Sequence, residues 1–225
     1  MADSHRSLSL NSPGQLLKKC LTSLAVTGVC VAGAGFGAEP TLQPAEASLW
    51  TNGIGSGFLP SVQTFSLEAG GNYGLTIFGS RHAHDLALGD VSCSHMLGPV
   101  MGGNSWYRGN WEGRAELFAG AQFSPSNDWF IGLTPHLRYD LATGTRWIPF
   151  VDAGAGITVM GIDQPDLSSV FEFNLQAGTG VHWFVRDKLA VTVEARYFHI
   201  SDAGMRRPNF GLNGVTGMIG LTWFF

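Results

Sequence analysis

Between residues 171 and 186 the side chains alternate with a period of two. Phe171, Phe173, Leu175, Ala177, Val181, Trp183 and Val185 fall on one parity, with Glu172, Asn174, Gln176, His182 and Arg186 on the other. Neighbouring residues of an extended chain point to opposite sides, so this segment is a strand with one apolar and one polar face. The pattern recurs along the chain. It predicts strands near 62–71, 86–97, 111–123, 129–141 and 147–160, then 171–186, a seventh ending at Ser201 and an eighth over 214–225. Ser124-Pro-Ser-Asn-Asp128, Ala142-Thr-Gly-Thr145 and Arg186-Asp-Lys188 supply turns between them. Pro135 and Pro149 fall inside the fourth and fifth strands, where each removes a ladder donor.

A soluble sandwich or lipocalin-like barrel also alternates, with its apolar face turned inward. Here the polar faces carry Glu112, Arg114, Glu116, Arg138, Asp140, Glu172 and Glu194, suited to the filled interior of a small membrane barrel. Trp111, Trp129, Tyr139, Trp147, Trp183, Tyr197 and Trp223 stand near strand ends on the apolar faces, as at membrane–water interfaces. Strands of about ten residues suit a tilted crossing of the bilayer. The expected fold is therefore all-β, an eight-stranded antiparallel transmembrane β-barrel over 62–225, with too narrow an interior to conduct.

The first 47 residues read as an export signal. Lys18 and Lys19 precede an apolar run from Cys20 to Ala38, and Ala45-Glu46-Ala47 offers a small-x-small cleavage site. A retained membrane helix is the alternative. Residues 48–61 read as a leader, and the expected destination is the cell outer membrane. Cys20 and Cys30 would leave with the signal, so Cys93 is the single cysteine of the mature chain and no disulfide framework is expected. Net charge is −4 with scattered basic residues, which argues against nucleic-acid binding.

The candidate chemistry lies where the seventh strand ends. Val191, Val193, Ala195 and Tyr197 share a face with His199 and Ser201, placing a general base and a hydroxyl at the end of an apolar strip. With both termini periplasmic, that end meets the outer leaflet, which in a Gram-negative cell is lipopolysaccharide. The bland readings are an interfacial histidine, a strand-end serine, a turn asparagine at Asn213 and solvated loop charges at Arg206 and Arg207. His82-Ala-His84-Asp85 offers two histidines and a carboxylate without a further ligand, the pattern of a polar loop, and no metal is expected there.

Tyr197-Phe-His199-Ile-Ser201-Asp-Ala-Gly204, followed by Pro208-Asn209-x-Gly211, resembles the PagL family of outer-membrane lipid A 3-O-deacylases. Gly132–Tyr139, Gly144–Gly156 and Gln176–Gly180 are similar to its middle strands, so the resemblance spans roughly 64–225. It implies a serine esterase in which Ser201 attacks the 3-linked acyl ester of lipid A and His199 relays the proton. A 3-hydroxy fatty acid would be released without a cofactor. It also implies an oxyanion site among Asp202, Ala203 and Gly204, and a homodimer is in keeping with it. Arg206 and Arg207 would meet lipid A phosphates. Two positions depart from the family. The triad acid aligns with Asn213, and the asparagine after the serine aligns with Asp202, which suggests either an exchange of roles or a catalytically silent barrel of structural or adhesive use.

Overall fold

In the computed structural model the described residues are 59, 60, 62–162, 166, 167 and 169–225. The export signal and the leader, apart from Leu59 and Pro60, lie outside them. The eight strands are β1 (Gln63–Gly74), β2 (Asp85–Met96), β3 (Gly109–Ser124), β4 (Asp128–Leu141), β5 (Trp147–Met160), β6 (Phe171–Arg186), β7 (Leu189–Ser201) and β8 (Leu212–Phe224). Each pairs antiparallel with its neighbours in sequence, and β1 pairs with β8 to close the barrel. Closure leaves no open strand edge, which a bilayer demands because unpaired backbone groups find no water there.

The two faces separate as the alternation predicts. Leu67, Leu117, Leu133, Leu137, Val151, Leu175, Val193 and Ile219 stand on the outside, exposed. Trp147 stacks on Trp183 at 5.3 Å, Trp111 meets Tyr139 at 4.8 Å and Phe65 meets Trp223 at 6.0 Å, forming an aromatic belt at the end that holds both strand termini. Phe123, Trp129, Phe171 and Phe173 border the opposite end. Three of the four connections at that opposite end, 75–84, 161–170 and 202–211, are long, whereas only 97–108 is long at the end holding the termini, and longer loops mark the extracellular side of such barrels. The site region is therefore on the outer rim.

The interior holds the inward charges read from the sequence, and apolar residues as well. Inside the outer rim lies an apolar plug of Leu86, Leu88, Phe118, Phe130, Phe198, Ile200, Leu212 and Met218. A second plug, with Met96, Ile148, Phe184 and Phe224, closes the opposite end. Between them sits a charged belt. Arg114 lies 3.0 Å from Glu116 and 3.3 Å from Asp90, Arg138 is 2.9 Å from Asp152 and 3.0 Å from Glu194, and Arg196 is 2.7 Å from Glu116. The plugs keep water away from ion pairs whose mutual attraction is strong only where they are dry. Glu172 falls outside this belt, buried nearer the outer rim.

Candidate active site

β7 delivers His199 and Ser201 to the outside of the barrel, as their shared parity requires. The Ser201 hydroxyl stands 3.0 Å from His199 Nε2. β8 runs back alongside in a register that sets Asn213 directly opposite His199. Asn213 Oδ1 lies 2.8 Å from His199 Nδ1, completing a hydroxyl–imidazole–amide relay across two strands. Tyr197 donates its phenolic hydrogen to the same Oδ1. His199 and Ser201 are half-buried, whereas Asn213 is buried.

The connection from β1 to β2 covers Asn213. Leu75 N–H donates to the Asn213 carbonyl at 2.8 Å, so this loop continues the β1–β8 pairing before it turns. It then presents the Ile77 carbonyl and the Ser80 hydroxyl to Asn213 Nδ2, at 3.1 and 3.2 Å. Phe78, at φ 51°, sets its ring edge-on to Tyr197 with centroids 6.5 Å apart. None of these loop residues stood out in the sequence, because their roles depend on a fold that joins positions more than a hundred residues apart. Gly211 takes φ 73°, and a Cβ there would come within 3.0 Å of His199 Cε1, which accounts for the glycine of the Pro-Asn-x-Gly run.

Asp202 does not face the imidazole. Its buried carboxylate accepts the Gly204 N–H at 2.8 Å and the Arg206 N–H at 2.7 Å, tying the β7–β8 connection into a turn. The exchange of roles considered for Asp202 and Asn213 therefore has no geometric basis: the negative charge lies under the loop. Gly204 N–H, expected near an oxyanion, is committed to Asp202. Ala203 stands in the left-handed region at φ 56°, between Asp202 and Gly204. Arg206 and Arg207 are exposed and line a cavity of about 610 Å³ with Gly204, Pro208, Asn209 and Phe210.

The histidines of the first outer loop serve another purpose. His82 Nδ1 and His84 Nε2 both reach Asp166 Oδ2, at 2.8 and 2.9 Å, while Asp85 accepts the Gly74 N–H at 2.9 Å. Phe210 N–H donates to the Asp166 carbonyl, and the Arg81 guanidinium lies 3.8 Å above the Phe210 ring. Three outer connections are thus held to one another beside the site. Among the described residues no group of acidic, histidine and cysteine side chains is arranged to hold a metal ion.

A closed barrel with an apolar outer surface, two aromatic borders and a relay of this kind on its rim defines an outer-membrane β-barrel. Residues 92–222, more than half of the chain, match the model of the lipid A 3-O-deacylase (PagL) family, and the chain belongs to that family. Among solved structures it is similar to the outer membrane enzyme PagL, at 16% identity over 70% of this chain and 97% of that one, with a TM-score of 0.51. At that identity the likeness is one of fold. The N-terminal β-barrel domain of OprF from Pseudomonas aeruginosa aligns at 15% identity over 75% of this chain and 99% of its own, TM-score 0.43. The outer membrane protein OprG of the same organism aligns at 10% identity over 77% and 98%, TM-score 0.41. No curated protein sequence matches the chain.

Proposed function

We propose that this protein hydrolyses the 3-O-linked acyl ester of lipid A in the outer leaflet, with Ser201 as nucleophile. The observation that carries this reading is the relay from Ser201 Oγ through the His199 ring to Asn213, opening onto lipid at the outer rim. A hydroxyl at neutral pH is a weak nucleophile until a neighbouring base takes its proton as it attacks. His199 Nε2 is that base. Attack on the ester carbonyl forms a tetrahedral oxyanion. Its collapse breaks the bond to the sugar oxygen, which leaves with the proton returned from His199. The acyl chain is then on Ser201. Water, activated by the same imidazole, releases it as a 3-hydroxy fatty acid and restores the serine. The remaining lipid A has one chain fewer. Asp202 N–H faces Asn209 Oδ1 at 3.4 Å and Gly204 N–H is held by Asp202, so the Ala203 N–H is assigned to the oxyanion.

An amide as third member changes the energetics and leaves the route intact. In a serine protease, replacing the acid by an amide costs about 10⁴ in turnover because the histidine takes the wrong tautomer. In this chain Asn213 turns its oxygen to Nδ1, so Nδ1 carries the hydrogen and Nε2 keeps its lone pair for the serine. Orientation is retained; only the charge opposite the imidazolium is missing.

Arg206 and Arg207 are suited to the phosphates of lipid A, since a guanidinium fork pairs with phosphate oxygens. Replacing both with alanine is expected to raise KM on bisphosphorylated lipid A while leaving kcat within about twofold, the pattern of a contact made equally in ground and transition states. Unchanged KM would remove the phosphate role. The overall reading is tested with purified protein and lipid A in heavy-oxygen water. A released 3-hydroxy acid carrying the label identifies hydrolysis with water as the acyl acceptor. Transfer of the chain to another lipid would identify an acyltransferase, and an untouched substrate a silent barrel.

A further inference from the structure

The immediate surroundings of Asn213 are those of an amide, with both its donors and its acceptor positions answered. Nδ2 points at the Ile77 carbonyl, which can only accept. It also points at Ser80 Oγ, whose single hydrogen is directed to the loop carbonyls of Leu75 or Ile77, at 3.0 and 2.8 Å, so that Ser80 too offers a lone pair. On the other side Oδ1 receives the Tyr197 hydroxyl and lies 2.8 Å from His199 Nδ1, an arrangement satisfied by hydrogen on Nδ1. Turning the amide over would set its oxygen against the Ile77 carbonyl, which has no hydrogen to give, and would require the Ser80 hydroxyl to release its loop carbonyl in order to donate, a costly arrangement in a buried position.

Resting on the deacylase reading above, we infer that Ser80 and Tyr197 are positioning residues for the reaction, fixing the orientation of the Asn213 amide and through it the tautomer of His199. The reason the tautomer matters is direct. A reversed amide presents N–H to His199 Nδ1, the ring hydrogen moves to Nε2, and the imidazole can no longer accept the proton of Ser201. Neither residue touches the reacting atoms; each acts through Asn213. The same geometry implies that a carboxylate is not welcome at position 213. Asn213→Asp would bring an oxygen to the Ile77 carbonyl without a hydrogen between them, offsetting what the negative charge contributes to the imidazolium.

The test uses the full-length mature protein in detergent and two readouts. One is turnover on lipid A for Ser80→Ala, Ser80→Thr, Tyr197→Phe and Asn213→Asp. The other is nitrogen NMR of the His199 ring, which reports which nitrogen carries hydrogen whether or not the protein is an active enzyme. The parent is expected to show hydrogen on Nδ1. Ser80→Ala and Tyr197→Phe should each lower kcat about tenfold, the scale of one buried hydrogen bond, at unchanged KM and with a share of the ring in the Nε2–H form. Ser80→Thr, which keeps the hydroxyl, should restore both. Asn213→Asp should not exceed the parent. Hydrogen on Nε2 in the parent, a tautomer unmoved by Ser80→Ala and Tyr197→Phe, or faster turnover in Asn213→Asp would each overturn the inference. If the parent releases no acid from lipid A, the deacylase reading fails, and the ring tautomer still decides whether Ser80 and Tyr197 hold the amide.

Discussion

Ser201→Ala and His199→Ala are each expected to lower lipid A deacylation by about 10³-fold or more, and the double variant to be no worse than either alone. In the proposed mechanism the two side chains act as one unit: without the imidazole the hydroxyl keeps its proton, and without the hydroxyl the imidazole has nothing to activate. The spacing enforces this dependence. A strand puts residues two apart on the same face, and the Ser201–His199 contact of 3.0 Å is made within one strand rather than across the fold. Neither variant should disturb folding, because both side chains lie on the outside of the barrel, clear of the plugs and the charged belt. Initial rates of acid release, measured beside the heat-modifiable gel mobility of the folded barrel, separate loss of chemistry from loss of structure. Additive losses in the double variant would show that the two residues do not share a step.

Arg114→Leu is expected to be the most damaging change in the interior, removing about 3–5 kcal/mol of stability. Arg114 is buried and stands among five carboxylates: Glu116 at 3.0 Å, Asp90 at 3.3 Å, Glu68 at 3.5 Å, and Asp152 and Glu194 at 3.6 Å. Arg138 and Arg196 already serve four members of the same set. A leucine leaves Glu68 without a guanidinium and leaves Glu116, Asp90, Asp152 and Glu194 to share Arg138 and Arg196 in a buried space. Urea unfolding in detergent micelles gives the comparison. Arg206→Leu, on an exposed loop, is the control expected to change stability by no more than about 0.5 kcal/mol. Equal midpoints for the two variants would mean that the belt is not what braces the barrel.

The eight strands were legible because a barrel wall is written in a period of two, and each segment kept that period over most of its length. Strand β5, expected over 147–160, and β6, expected over 171–186, span Trp147–Met160 and Phe171–Arg186. The first strand runs three residues further than its alternation suggested, because Asn72 and Gly74 still pair with Thr216 and Gly214. The apolar plugs were not legible in the same way. Phe118, Phe130 and Phe198 sit on the parity of the charged residues, and only the closed barrel shows that they stop the outer end of the interior. At the site, the pairing of His199 with Ser201 follows from parity. That of His199 with Asn213 depends on the β7–β8 register, and that of Asn213 with Ser80 on how the first outer loop folds back over β8. Asp202 shows the limit most clearly: beside the serine in sequence, it turns under the loop to bind Gly204 and Arg206.

Removal of the 3-linked acyl chain of lipid A by Ser201 is the central step of the proposed function. Mass spectrometry of lipid A from a Gram-negative host making this protein, beside the same host making Ser201→Ala at equal outer-membrane levels, tests it directly. The expected spectrum shows loss of one 3-hydroxyacyl group with the serine present and intact lipid A with alanine in its place. Intact lipid A in both, with the barrel folded in the outer membrane, would contradict the account. So would the same loss in both.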